Sequence, residues 1–148
     1  MKTEAQYQER FTEFVPYLSK LDMSPELMER CETVFEHCAA MAPEPVDDIF
    51  VTDYLADGER QYEDFLCFSP GYCVAAKDFT VKLDVYLLPI SQRITRYNLV
   101  PGDYACKEVH CEGGFNLLFK AAGQNCDCLA DIFEKYIEPN LAPSTATR

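Results

Sequence analysis

At Pro43-Glu44-Pro45 the period of the apolar residues changes from about 3.6 to about 2, and this switch constrains the fold more than any other feature of the chain. Upstream, Leu27, Met28, Cys31, Val34, Phe35, Cys38 and Met41 make one broad helical stripe. Ser24 is placed as its N-cap, Pro25 at the first helical position and Glu26 in the first turn. Earlier still, Tyr7, Phe11, Phe14, Val15, Leu18 and Leu21 repeat at helical spacing, and Pro16 is expected to kink or split that run near Phe14. The two runs predict a helical hairpin over residues 4–42, in an N-terminal unit of residues 1–42.

Downstream the pattern is that of short strands divided by turns. DIFVTDYL (48–55) is followed by Asp57-Gly58, YEDFLCFS (62–69) by Pro70-Gly71, and a third strand runs from Tyr72 to Ala76. Val81, Leu83, Val85 and Leu87 alternate with Lys82, Asp84 and Tyr86, which predicts a half-buried strand that Pro89 stops or marks as an edge. ITRYNLV (94–100), Tyr104–Cys111 and FNLLFKAA (115–122) complete seven strands. Such a set suggests a strongly bent sheet, a barrel or a sandwich. A last helix is capped by Asn125, with Asp127 in its first turn and Leu129, Ile132, Phe133, Tyr136 and Ile137 on its apolar face. Pro139-Asn140 ends it, and residues 142–148 are expected to be a disordered tail.

Seven strands and a closing helix, carried by FLCFSPGYCVAA, LLPISQRITRYNLV, FNLLFKAAG and NCDCLADIFEKYI, resemble a pleckstrin-homology-like domain of the bacterial type over residues 47–141. The resemblance implies an α+β fold: an N-terminal helical hairpin, then a seven-stranded antiparallel barrel capped by a C-terminal helix. Two features depart from the lipid-binding members. The turn Ala56–Gln61 holds one arginine among acids in place of a basic cluster, and the chain has no tryptophan for the final helix. The resemblance therefore implies a fold and a protein-binding role, without phosphoinositide binding.

Charge sharpens this. The 148 residues carry 25 acids against 13 bases, net −12. Phosphate neutralisation by Lys and Arg supplies most nucleic-acid affinity, so nucleic acid is a poor partner, and anionic membranes are equally poor. Seven acids and one base between Asp47 and Asp64 give a segment of −6 that reads as a solvated face steering a partner. The first twenty residues lack an apolar core of signal-peptide length, and no run approaches the ~18 apolar residues of a membrane span. With no secretion signal, most of the eight cysteines read as reduced, buried thiols of a cytoplasmic protein.

The remaining chemistry is thin. Cys106, His110, Cys111, Cys126 and Cys128 lack the short C-x₂-C pairs of zinc sites, and the two histidines sit in no catalytic motif. Cys126, near a helix start, is the best-placed thiol for a lowered pKa, but Asp127 opposes a thiolate there. Arg93 and Arg96 flank Ile94, and alternation places Arg96 on the face of Ile94 and Asn98. No catalytic residue, metal ligand or cofactor is assigned. The reading is a non-enzymatic interaction module that binds a protein partner. Its candidate contacts are Asp53, Asp57, Glu59, Arg60, Arg93 and Arg96, and a homo-oligomer through the N-terminal hairpin is a further expectation. The alternatives are a small-ligand or lipid-headgroup binder and an enzyme of unrecognised type. Sedimentation with phosphoinositide-containing vesicles should leave the protein in the supernatant; salt-sensitive pelleting at micromolar protein would refute the charge argument.

Overall fold

The computed structural model describes residues 9–91, 93–99, 105–114 and 116–142. The hairpin's start at residue 4 with Tyr7, the turn at Pro101-Gly102, Val100, Tyr104, Phe115 and the tail from 143 onward lie outside the described residues. Residues 9–12 are helical, and α1 (Val15–Ser19) restarts with Pro16 in its first turn, so the run splits beside Phe14 as its sequence dictates. The second helix, α2 (Pro25–Met41), opens on Ser24, whose hydroxyl accepts from the Leu27 amide at 3.1 Å.

Among the described residues seven strands follow: β1 (Asp48–Ala56), β2 (Glu59–Ser69), β3 (Tyr72–Lys77), β4 (Asp84–Pro89), β5 (Ile94–Leu99), β6 (Ala105–Cys111) and β7 (Asn116–Ala121). The β1–β2 turn is Asp57-Gly58 with φ of 54° and 80°, the two left-handed residues of a tight hairpin whose twist suits its strands. The chain then enters α3 (Asn125–Ile132), which continues as a widened helical turn over Phe133–Ile137. The architecture is α+β. The described residues form two antiparallel sheets, ordered β1-β2-β3-β4 and β5-β6-β7; α2 packs on one face of the first, and the second sheet and α3 meet its other face. Among the described residues the hydrogen-bonded ladder does not run on from β4 to β5 or from β7 to β1, so the two sheets do not close into one ladder.

Two cores share the first sheet. On one face Val51, Phe65, Cys67, Val74 and Ala76 meet α2 and the residues before it, with Phe35 packed between Phe11 and Phe14 at ring distances of 5.7 and 5.6 Å. On the other face Phe50, Leu66 and Phe68 meet the second sheet and α3, where Phe119 lies 5.3 Å from Phe133 and Phe68 lies 5.0 Å from Tyr136. Being covered twice, β2 and β3 are buried along unbroken runs instead of alternating.

Two expectations are corrected here. The strand expected from Val81 begins at Asp84: Val81 stands 80% exposed in the preceding turn, and Leu88 is the buried residue of the strand. β4 is the outermost strand, where the cover of α2 runs out, so the alternating apolar residues before Leu88 remain half-buried or open. The N-cap of α3 is Gln124 rather than Asn125, because the Asn125 side chain is turned inward and buried. The apolar stripe of α2, expected either to dock on the sheet or to pair with a second copy, packs on the chain's own sheet. Phe35 is fully buried in that seam. Phe35→Ala should cost about 3–5 kcal/mol and lower the melting temperature of the whole domain in one transition. A separate early transition in calorimetry would show the hairpin to be an independent appendage.

Candidate functional site

The acidic β1–β2 hairpin divides into an inner and an outer part. Asp53 is fully buried where β1 meets β7 and α3. Its Oδ1 accepts from the Ala122 amide at 2.9 Å and from Asn125 Nδ2 at 2.8 Å. Its Oδ2 accepts no hydrogen bond and faces Arg60 Nε at 3.3 Å as an ion pair. Asn125 Nδ2 also donates to the Val51 carbonyl at 2.8 Å, while Asn125 Oδ1 accepts from the Tyr17 hydroxyl at 2.9 Å. The Val51 amide completes the set by donating to that hydroxyl at 3.0 Å. This network bolts α1, β1, β7 and α3 together.

The Arg60 guanidinium lies across Gly123, at φ +57°, and a Cβ there would come within 3.0 Å of it. Burial pushes the Asp53 carboxyl above its ordinary range, against the lowering by Asn125, Ala122 and Arg60. Burial likewise pushes the Tyr17 hydroxyl up. Asp53 and Arg60 are therefore brought together as the sequence reading grouped them, but as an internal pair; a fully buried carboxylate touches no partner. Asp57 and Glu59 stay exposed at the tip of the hairpin.

The two arginines of SQRITRY part company. A register shift between Ile94 and Arg96 breaks the expected alternation, so Ile94 is fully buried while Arg96 points to solvent and donates to Asn98 Oδ1 at 3.3 Å. Arg93, also exposed, stands 3.8 Å from Glu112. It borders a cleft of about 320 Å³ with Leu88, Cys111 and Glu112, and a shallow one with Glu44, Tyr72 and Ser91. Each cleft thus carries a carboxylate against its one cation, which disfavours an anionic headgroup. A smaller cleft of about 170 Å³ runs between Tyr17, Ile49 and Ile132, with Asp48, Asp131 and Lys135 at its rim. It falls below the usual range for a small-molecule site.

The cysteines do not assemble a reactive centre. Burial raises the thiols of Cys67, Cys73, Cys106, Cys111 and Cys128, and pushes Cys31 up to about 12, which disfavours the nucleophilic thiolate. Cys126 is half-buried, and its Sγ donates to the Ala121 carbonyl at 3.5 Å. Among the described residues no three His, Cys, Asp or Glu side chains converge to hold a metal ion. No described helix is long and apolar enough to cross a membrane.

What the sequence reading missed at β4 is the exposure of its apolar residues; the edge position itself was marked by Pro89. Leu83, Tyr86 and Leu87 are 36%, 52% and 39% exposed, and Val81 lies just before them. Large apolar side chains are thus concentrated along one sheet margin, beside Asp78 and Asp84, which both pair with Lys82. The signal was available in Tyr86-Leu87-Leu88-Pro89: three apolar residues in a row on both faces, closed by a proline that a central strand excludes.

No family model and no curated protein matches the chain. Among solved structures it is similar to the C-terminal domain of an unknown protein from Leishmania infantum, at 13% identity and a TM-score of 0.50, over 72% of this chain and 98% of that one. That likeness concerns the fold alone.

Asp53→Ala strands the Ala122 amide, the Asn125 amide group and the Arg60 cation, and should cost about 3 kcal/mol in denaturant unfolding. Asp53→Asn keeps an acceptor for two of these and should cost less. Because the folded Asp53 carboxyl titrates above its unfolded value, its contribution is full below that value and fades as pH rises through the folded one. The stability of wild type relative to Asp53→Asn should therefore decline as pH is raised from acid toward neutrality; a constant difference would contradict this placement.

Proposed function

We propose that this chain is a pleckstrin-homology-like module that binds another protein and carries out no chemistry of its own. The fold part of the reading is supported by the order of elements. Four sequential antiparallel strands are followed by three more, and a C-terminal helix supplies Ile132, Phe133, Tyr136 and Ile137 to the core between the sheets.

The observation that carries the functional part is the apolar margin at β4. Val81, Leu83, Tyr86 and Leu87 lie open to solvent within seven residues, with Asp84 in the same stretch and Asp78 just before it. An open apolar patch with an acidic rim suits a protein partner. A basic mouth would have suited an anionic ligand, whereas Arg93 shares its two clefts with Glu112 and Glu44. The net charge of −12 steers toward a partner surface of opposite sign.

The wild-type protein and a Leu83→Glu/Leu87→Glu variant, matched for thermal stability, serve as paired baits in extract of the native host, with quantitative mass spectrometry. A small set of proteins enriched by the wild type and lost with the variant is expected. Equal capture by both baits, or a small molecule of constant mass retained in native mass spectra, would overturn the reading.

A further inference from the structure

We infer that β4 receives an extended segment of the partner as a fifth strand of the first sheet, an inference that rests on the protein-binding reading above. The direction of its backbone groups follows from the register. The Ile90 amide donates to the Gly71 carbonyl at 2.9 Å, so Ile90 points toward β3. Backbone groups alternate along a strand, which turns those of Leu88, Tyr86 and Asp84 toward β3, in agreement with their pairing to Cys73, Ala75 and Lys77. The amides and carbonyls of Val85 and Leu87 then point away from the sheet. Pro89 falls in the same outward set, where its missing N–H costs no ladder bond.

Other outer strands of the two sheets have cover that β4 lacks. β1 is tied to the end of β7 where the Asp53 carboxylate accepts from the amide of Ala122, the residue that follows β7. β5 pairs at Ile94 with Leu141, and the Ala142 amide donates to the Ile94 carbonyl at 2.8 Å. No described residue pairs with the outer side of β4. Natural sheets usually guard such an edge with lysine, a bulge or a covering loop. Here the outward-facing stretch Val85–Leu87 carries no charge, Asp84 stands before it and Pro89 after it.

The side chains beside this edge specify the occupant. Leu87 and Val85 lie on the face of Val74 and Ala76, and Tyr86 lies on the face of Ala75. An incoming strand therefore meets apolar surface on both faces and needs apolar residues at successive positions, two of them opposite Leu87 and Tyr86. Asp78, Lys82 and Asp84 leave one net negative charge at the start of the edge, which fits a lysine or arginine at one end of the segment. A second copy of this chain would bring another −12 to the contact, so the occupant is a basic-apolar extended segment of a different protein. Strand addition draws its affinity from main-chain bonds and its choice of sequence from the flanking side chains.

The test selects binders from a random 12-residue displayed-peptide library on the immobilised wild-type protein, then measures synthetic copies of the enriched peptides. Enriched sequences should combine adjacent apolar residues with a terminal Lys or Arg, and should slow amide hydrogen exchange at Val85 and Leu87. Leu87→Lys and Leu87→Pro should each weaken binding by about tenfold or more. The proline variant removes the outward N–H together with the leucine side chain, so a loss of binding larger than that of Leu87→Ala, with an unchanged melting curve, isolates the main-chain contribution. Protection of amides elsewhere, with both variants binding as wild type, overturns the assignment to β4 and leaves the protein-binding reading standing. Absence of any enriched peptide overturns the assignment, and so does concentration-dependent dimerisation that Leu87→Lys abolishes.

Discussion

A sheet with apolar side chains on both faces requires two covers, and the first sheet of this protein is built around that requirement. Phe65 and Leu66 are neighbours in sequence and belong to different cores. One looks toward α2, the other toward the second sheet and α3. Neither helix has an adequate apolar partner without the strands, and the strands cannot be left bare on either side. The N-terminal hairpin, the second sheet and the C-terminal helix are thus three contributions to the burial of one four-stranded sheet.

The polar groups are subordinate to the same geometry. Where β1 leaves the double cover, Asp53, Asn125 and Tyr17 satisfy backbone groups that the break in the ladder would otherwise strand. Asp48 plays a comparable part at the other end of β1, accepting from the Tyr136 hydroxyl and standing 3.3 Å from Lys135 Nζ. Arg10 reaches the Val46 carbonyl as the chain enters the sheet, and Asn140 ties the end of the last helix to the Pro70 carbonyl at 3.1 Å. Much of the acidity concentrated between Asp47 and Asp64 therefore has a structural purpose, and the exposed part is confined to a few positions such as Asp57 and Glu59.

Much of this was legible in the sequence because the relevant signals are local. Ser24-Pro25 starts a helix, Asp57-Gly58 turns a hairpin and Pro16 breaks a helix through backbone constraints that need no tertiary context. The α+β architecture followed from the change of period at Pro43-Glu44-Pro45. What escaped depends on neighbours distant in sequence. Asn125 looked like a cap because asparagine before an apolar run usually is one, whereas its amide is claimed by Val51 and Asp53, more than seventy residues upstream. Asp53 and Arg60 were both named as surface contacts, since a run of acids does not reveal which carboxylate is enclosed. The alternation at Val81–Leu87 misled for a related reason: period 2 reports a strand with two unlike faces, but it does not report that the strand is outermost.

The division into two cores also has a consequence in time. The buried side chains of the α2-side core run from Phe11 to Phe79, so a chain made from its N-terminal side has all of them once residue 79 is added. The opposite core joins Phe50 to Phe119, Phe133 and Ile137. Until the residues from Leu88 to Ile137 follow, one face of β1, β2 and β3 has its lining of Phe50, Leu66 and Phe68 without their cover. The nascent protein presents that face to whatever waits at the ribosome's exit until its final helix arrives.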